Sequence, residues 1–353
     1  MYFCEEEQTM SVNIVIDTLG GDNGAPVCVA GAVKGLKKNP DVKLYLTGRK
    51  KEIDGLLSKY DYDKNRIEVV DCSEEITCHD APVEAVKKKK DSSLVVGLNL
   101  VKEGKADAFV SAGSSGAVLA GGSLIVGRAK GVKRTPLAPL IPTTEGMSLL
   151  IDCGANVDAK PEVLVQFAKM GSIYMENIVG VKNPRVAIVN IGTEEEKGNA
   201  LVKETYPLME KAPYNFVGNV EARDIPLDQA DVVVTDGFGG NLILKYTEGL
   251  ASALMGTIKQ ELMADTRGKI AGLIAKPAFK RVKKTMSSDE IGGAPLLGVQ
   301  GAVIKAHGSS NAYAFCSAIG QCVKMIDGNV VQIIAEGVKK MLAADSEASS
   351  SEQ

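Results

Sequence analysis

Several polar segments combine glycine with carboxylate, amide or hydroxyl side chains, each directly after a short apolar run. In Asp17-Thr18-Leu19-Gly20-Gly21-Asp22, adjacent glycines let backbone N–H groups turn toward an anion, ahead of a helix expected to begin near Pro26. Ser111-Ala112-Gly113-Ser114-Ser115-Gly116 repeats the arrangement before an apolar helix expected at Ala117–Val126 and adds hydroxyl donors. Further on come Asp152-Cys153-Gly154-Ala155-Asn156, Asn190-Ile191-Gly192-Thr193 with Lys197 close behind, and Asp236-Gly237-Phe238-Gly239-Gly240-Asn241. His307-Gly308-Ser309-Ser310 places an imidazole in a glycine-bounded polar loop. Any one of these is also what an ordinary strand-to-helix turn or helix cap looks like. Their recurrence at the ends of successive apolar runs is what points to an anion site. None is a G-x-G-x-x-G fingerprint or a Walker A loop, so neither a dinucleotide nor a nucleoside triphosphate is indicated.

The elements that would position these loops alternate along the chain. Strands are expected at Val12–Asp17, Lys43–Thr47, Ile67–Asp71, Ala108–Ser111, Leu149–Asp152, Val186–Ile191, Tyr214–Gly218 and Asp231–Thr235. Helical patterns lie between them at Val27–Lys38, Ser92–Glu103, Glu162–Glu176 and Asn199–Lys211. Such alternation implies an α/β fold, a mostly parallel sheet covered by helices on both faces. In open sheets of this kind ligands sit outside the carboxyl ends of the strands, which is where the glycine loops fall.

One stretch breaks the pattern. Leu250, Leu254, Ile258 and Leu262 recur every four residues, and Ile270, Leu273, Ile274 and Phe279 then sit among Arg267, Lys269, Lys276, Lys280, Arg281, Lys283 and Lys284. The segment at about 250–286 is a basic, amphipathic helical element. It suits an anionic lipid surface or an acidic protein partner, or else packs its stripe on the core or a second subunit.

Composition narrows the classes. A hydrophobic fraction of 45% supports a substantial core, and a net charge of −3 gives no general pull toward nucleic acid. The seven cysteines form no C-x-x-C pair and only two histidines occur, so neither a zinc site nor a disulfide framework is suggested. No apolar run reaches the roughly 18 residues needed to span a bilayer. Residues 1–11 are expected to be a disordered extension, 12–344 the folded domain, and 345–353, rich in Ser and Glu, a disordered tail.

Taken in order, the motifs resemble those of the PlsX family, the acyl–acyl-carrier-protein:phosphate acyltransferases of bacterial phospholipid synthesis. The matches are D-x-x-G-G-D at Asp17, S-A-G-x-x-G-A at Ser111, D-C-G-A-N-x-D at Asp152 and Q-F-A-x-M-G at Gln166. They continue with N-I-G-x-E at Asn190, K-G-N at Lys197, G-N-V-E-A-R-D at Gly218, D-G-F-x-G-N at Asp236, P-L-L-G at Pro295 and H-G-S-S at His307. The pattern is departed from at Gly24, an extra residue, and at Leu19, where a methionine is expected. The resemblance implies a three-layer α/β/α fold similar to isocitrate and isopropylmalate dehydrogenases and to phosphotransacetylases. It also implies a homodimer with no metal or organic cofactor, cytoplasmic and loosely held at the membrane. Acyl carrier protein and inorganic phosphate would be its substrates, and acyl phosphate would pass to a membrane glycerol-3-phosphate acyltransferase.

On this reading Asp17, Gly20, Gly21, Asp22, Ser111, Gly113, Ser114, Ser115 and Gly116 hold phosphate, with Asp152, Asn156 and Asn190 as further substrate-binding positions. Lys197 neutralises the attacking phosphate or the oxyanion, and Asn241 and Asn190 donate hydrogen bonds. Asp236 orients Lys197 or His307, and His307 protonates the departing thiolate. Leu254, Ile258, Leu262, Ile270, Leu273, Ile274, Lys280, Arg281, Lys283 and Lys284 contact membrane or carrier protein. The competing readings are a phosphotransacetylase-like enzyme that uses acyl coenzyme A, a decarboxylating dehydrogenase of the same fold, and a non-catalytic scaffold at the membrane surface.

Overall fold

The computed structural model of the chain describes residues 12–285 and 288–351, so the expected N-terminal extension lies outside the described residues. Helix Val330–Ser351 runs over most of the stretch expected to be a disordered tail. Where the sequence reading has one domain, contacts divide the chain into two compact units. One is the stretch up to Arg128 together with Val299–Val331; the other is Ala129–Gly298 together with the stretch from Gln332.

In the first unit, all strand pairs are parallel, in the spatial order Ala302–Lys305, Ala108–Ser111, Val12–Asp17, Val42–Gly48, Ile67–Asp71. Ile14, Val15 and Ile16 are wholly buried, as an apolar run covered on both faces must be. Val15 pairs in register with Phe109, and both lie beneath helix Ser93–Lys102 at Gly97. The pleat turns Ile14 and Ile16 to the other face, where helices Gly24–Lys38 and Ala312–Asp327 pack on each other. The latter helix is started by Asn311, whose side-chain oxygen accepts from the Tyr313 and Ala314 N–H groups. The chain builds outward from Val12–Asp17 to one edge, then returns to the opposite side of that same strand. A topological switch point therefore falls between Val12–Asp17 and Ala108–Ser111.

The second unit carries its own sheet, in the order Leu140–Pro142, Met147–Ile151, Val232–Val234, Arg185–Asn190, Asn215–Glu221. Only the first pair is antiparallel. Leu149 and Val232, paired in register, face helix Pro161–Tyr174 at Gly171. Their neighbours Leu150 and Val233 join a core cluster against which Ile243 and Leu244 pack. Arg185 clasps one end of the sheet, its guanidinium donating to both carboxylate oxygens of Asp231 and to Asp228.

The basic element expected at 250–286 is part of a longer structure. Helix Gly237–Ala264 starts at the end of strand Val232–Val234 and spans 28 residues, and helix Thr266–Thr285 doubles back on it. Asp265 marks the turn, its carboxylate accepting from the Gly268 N–H at 2.6 Å. Among the described residues no helix is long and apolar enough to cross a membrane.

Candidate active site

In the first unit, the carboxyl ends of the two switch-point strands are tied by one carboxylate. Asp17 is fully buried; Oδ1 accepts from the Leu19 N–H at 3.1 Å and from Ser93 Oγ at 2.6 Å, and Oδ2 accepts from Ser111 Oγ at 2.7 Å. Burial pushes its carboxyl up from the usual range, against the opposing pull of Ser111, Ser93 and the Leu19 and Gly20 N–H groups. Ser111 Oγ in turn accepts from the Gly113 N–H at 3.0 Å. The two glycine loops touch through bare backbone: a Cβ on Gly20 would lie 2.6 Å from the Gly113 nitrogen. Asp17 and Ser111, expected to hold substrate, tie the loops to each other.

A third loop closes on the first. The Asp22 N–H donates to the Gly308 carbonyl at 2.8 Å, and Asn23 Nδ2 donates to the Ser309 and Ser310 carbonyls, each at 3.1 Å. His307 is therefore carried beside Gly20–Asn23, exposed, with Nδ1 2.8 Å from Ser309 Oγ. Ser114 and Ser115 stand at the start of helix Ser115–Gly121, Ser115 exposed, while Gly116 faces Pro82. That helix passes into a π-helical turn at Gly122–Gly127, where an uninterrupted helix to Val126 was expected.

Sequence reasoning missed Lys305. It ends strand Ala302–Lys305 in register with Ser111, is buried, and its ammonium donates to the carbonyl oxygens of Ala112 and Ala306. The available signal was a lysine closing an apolar run immediately before the His307 loop.

The second unit has a comparable cluster at its strand ends. Asp152, wholly buried, accepts from the Leu137 N–H at 2.9 Å, the Ala155 N–H at 3.2 Å, and the Asn156 N–H and Nδ2 at 2.7 and 2.9 Å. Burial raises its carboxyl despite these donors. Asn156 also donates to the Thr135 carbonyl at 3.1 Å, and its own carbonyl accepts from the Gly237 N–H. Both side chains organise backbone. Asp236 caps helix Gly237–Ala264, Oδ1 accepting from the Gly239 N–H at 2.7 Å; it faces its own helix, not Lys197. Asn241, exposed in the first turn, lies against Gly154.

Asn190 accepts from the Ile191 N–H at 2.8 Å and donates to the Lys197 carbonyl at 3.0 Å, closing the loop on itself. The Lys197 ammonium is paired with Glu194 at 2.8 Å, a hydrogen bond that raises its pKa and lowers that of Glu194. On the helix pair, Leu254, Ile270, Leu273 and Ile274 are exposed, whereas Ile258 and Leu262 are half-buried. Lys280 and Arg281 are exposed; the side chains of Lys283 and Lys284 lie outside the described residues.

In both units the glycine loops thus stand at the carboxyl ends of strands, tied by buried carboxylates. Among solved structures, a phosphotransacetylase from Streptococcus pyogenes is similar in fold, at 19% identity, a TM-score of 0.60, and coverage of 90% of this chain and 94% of that one. It establishes the shared α/β architecture. A phosphate acyltransferase from Alkaliphilus oremlandii (strain OhILAs) is 54% identical over 94% of this chain and 98% of its own length. One from Clostridium novyi (strain NT) is 47% identical over 94% of this chain and 100% of its own. The family model described as fatty acid synthesis protein matches residues 12–333, and the chain belongs to that family, alongside these phosphate acyltransferases.

Proposed function

We propose that the chain transfers a fatty acyl group from acyl-acyl carrier protein to inorganic phosphate, releasing thiol and forming acyl phosphate for phospholipid synthesis. The observation that carries this reading is the pair of glycine loops held backbone to backbone at the switch point by Asp17. Phosphate already has nucleophilic oxygens near neutral pH, and a pantetheine thiol, with a pKa of about 8.5, leaves readily as thiolate. The protein has only to hold the anion against the thioester and stabilise the oxyanion.

Lys197 supports that role because its partner is easily given up. Lys197 and Glu194 are both about half exposed, at 49% and 55%, and solvent screening leaves such surface pairs weak. Asn241, exposed in the first turn of its helix, is the second polar group retained for substrate. The exposed apolar and basic residues of the helix pair support contact with an anionic membrane surface or with the acidic carrier protein, and homodimer formation accompanies the family reading.

The test is phosphate-dependent release of free thiol from palmitoyl-acyl-carrier protein, with palmitoyl coenzyme A in parallel. Carrier-dependent turnover yielding acyl phosphate is expected. Turnover with the coenzyme A ester alone would move the donor assignment, and a folded protein inert to both would leave a scaffold. Lys197→Ala is expected to lower kcat about 100- to 1,000-fold; near-normal turnover would remove its role.

A further inference from the structure

We propose that His307 holds the attacking phosphate as a fixed Nε2–H hydrogen-bond donor, and that Ser309 is the positioning residue that sets this tautomer. The proposal rests on the phosphate-on-thioester reading and departs from it in one respect: His307 does not protonate the thiolate.

The backbone N–H of Ser309 points at His307 Nδ1, 3.2 Å away. A backbone amide can only donate, so Nδ1 must present its lone pair. Ser309 Oγ, 2.8 Å from the same nitrogen, then serves as a second donor. A neutral imidazole whose Nδ1 accepts carries its proton on Nε2. Releasing that proton would leave an imidazolide anion. A second proton on Nδ1, which general-acid action requires, would set one N–H against another. The arrangement therefore suits a donor that keeps its proton.

The loop is placed for the task. The Gly308 carbonyl and the Ser309 and Ser310 carbonyls are bound by Asp22 and Asn23, so the imidazole moves with the Gly20–Asn23 loop. His307 is exposed and Nε2 is the ring nitrogen that Ser309 leaves for a ligand. The chemistry balances without an enzyme acid. A phosphate oxygen lone pair forms the bond to the carbonyl carbon, the carbonyl oxygen takes the charge and returns it, and the carbon–sulfur pair leaves with sulfur as thiolate. The phosphoryl proton then exchanges with water.

Two readouts test this. The chain has only two histidines, so 15N-histidine spectra contain two imidazoles, and the His307→Gln variant assigns them. The His307 ring is expected as the Nε2–H tautomer, retained in Ser309→Ala, whose backbone N–H still donates to Nδ1. Phosphate saturation kinetics supply the second readout. Gln offers an N–H donor but no acid, so His307→Gln should keep kcat/KM for phosphate within about tenfold, whereas His307→Ala loses about 100- to 1,000-fold. Ser309→Ala should raise the phosphate KM more than it lowers kcat, and Ser309→Thr should restore it. An Nδ1–H tautomer in the native protein, or a glutamine variant as inactive as the alanine one, overturns the proposal. Failure of the parent reading is distinguishable: the unmutated protein itself would release no thiol with phosphate.

Discussion

Asp17 is a single carboxylate that ties three separate stretches of chain together. Its oxygens accept from Leu19, Ser93 and Ser111 in a fully buried setting. Asp17→Ala leaves two hydroxyls and an amide without their acceptor and should destabilise by about 2–4 kcal/mol, with loss of phosphate-dependent turnover. Asp17→Asn keeps one acceptor oxygen and should lose less than half of that, measured by urea unfolding. The pH dependence has a definite sign. Because the folded-state pKa is raised, the folded chain binds the proton more tightly than the unfolded one. Stability from this group is therefore complete below the unfolded carboxylate pKa and declines as pH rises toward the folded value. Relative to Asp17→Asn, which does not titrate, the unmutated chain should gain stability on acidification across that window. Asp152 is raised for the same reason and should act in the same direction. The D-x-x-G-G-D motif made Asp17 visible in the sequence, but not its role. Ser93 and Ser111 lie 76 and 94 residues further along, and no local pattern pairs a carboxylate with hydroxyls at such separations.

At the scale of elements, periodicity served where runs were long and apolar. Val12–Asp17, Ile67–Asp71 and Ala108–Ser111 have the expected bounds. Leu140–Pro142 and Ala302–Lys305 went unread because one is a three-residue edge strand ending in proline and the other sits between Gly301 and the His307-Gly308 turn and ends in a charged lysine. Helix Gly237–Ala264 was read only in pieces, since its first turn is crowded with glycine, the poorest helix former after proline. The structure gives the reason for one of them. A Cβ on Gly240 would sit 1.9 Å from the Asp152 carbonyl oxygen. Gly240→Ala should push the helix start off the strand end, costing at least about 2 kcal/mol and disturbing Asn241. Gly256, in the same helix with nothing within 4 Å of a Cβ, is the control: Gly256→Ala should stabilise by up to about 1 kcal/mol. Thermal unfolding of the two variants checks both signs.

For the whole molecule, a net charge of −3 coexists with a basic helix pair. The combination keeps nonspecific attraction low while concentrating positive charge on one element. Reversing Lys280, Arg281, Lys283 and Lys284 to Glu should weaken binding to anionic vesicles by at least about 100-fold, at roughly 1 kcal/mol per basic residue near the surface, with the native binding lost as salt is raised. Unchanged vesicle binding with a raised KM for the carrier substrate would assign the patch to the carrier protein. The sequence announced this patch through composition alone, whereas the division into two units was hidden, because the first unit is assembled from distant stretches. That interruption has a consequence for birth of the protein on the ribosome. Lys305 meets Ala112 across 193 residues, about 10–40 s of synthesis at 5–20 residues per second. Throughout that interval both glycine loops exist while strand Ala108–Ser111 waits as an open sheet edge. The last strand brings the His307 loop with it, so the nascent first unit gains its edge strand and the contact between that loop and Asp22–Asn23 in one late event.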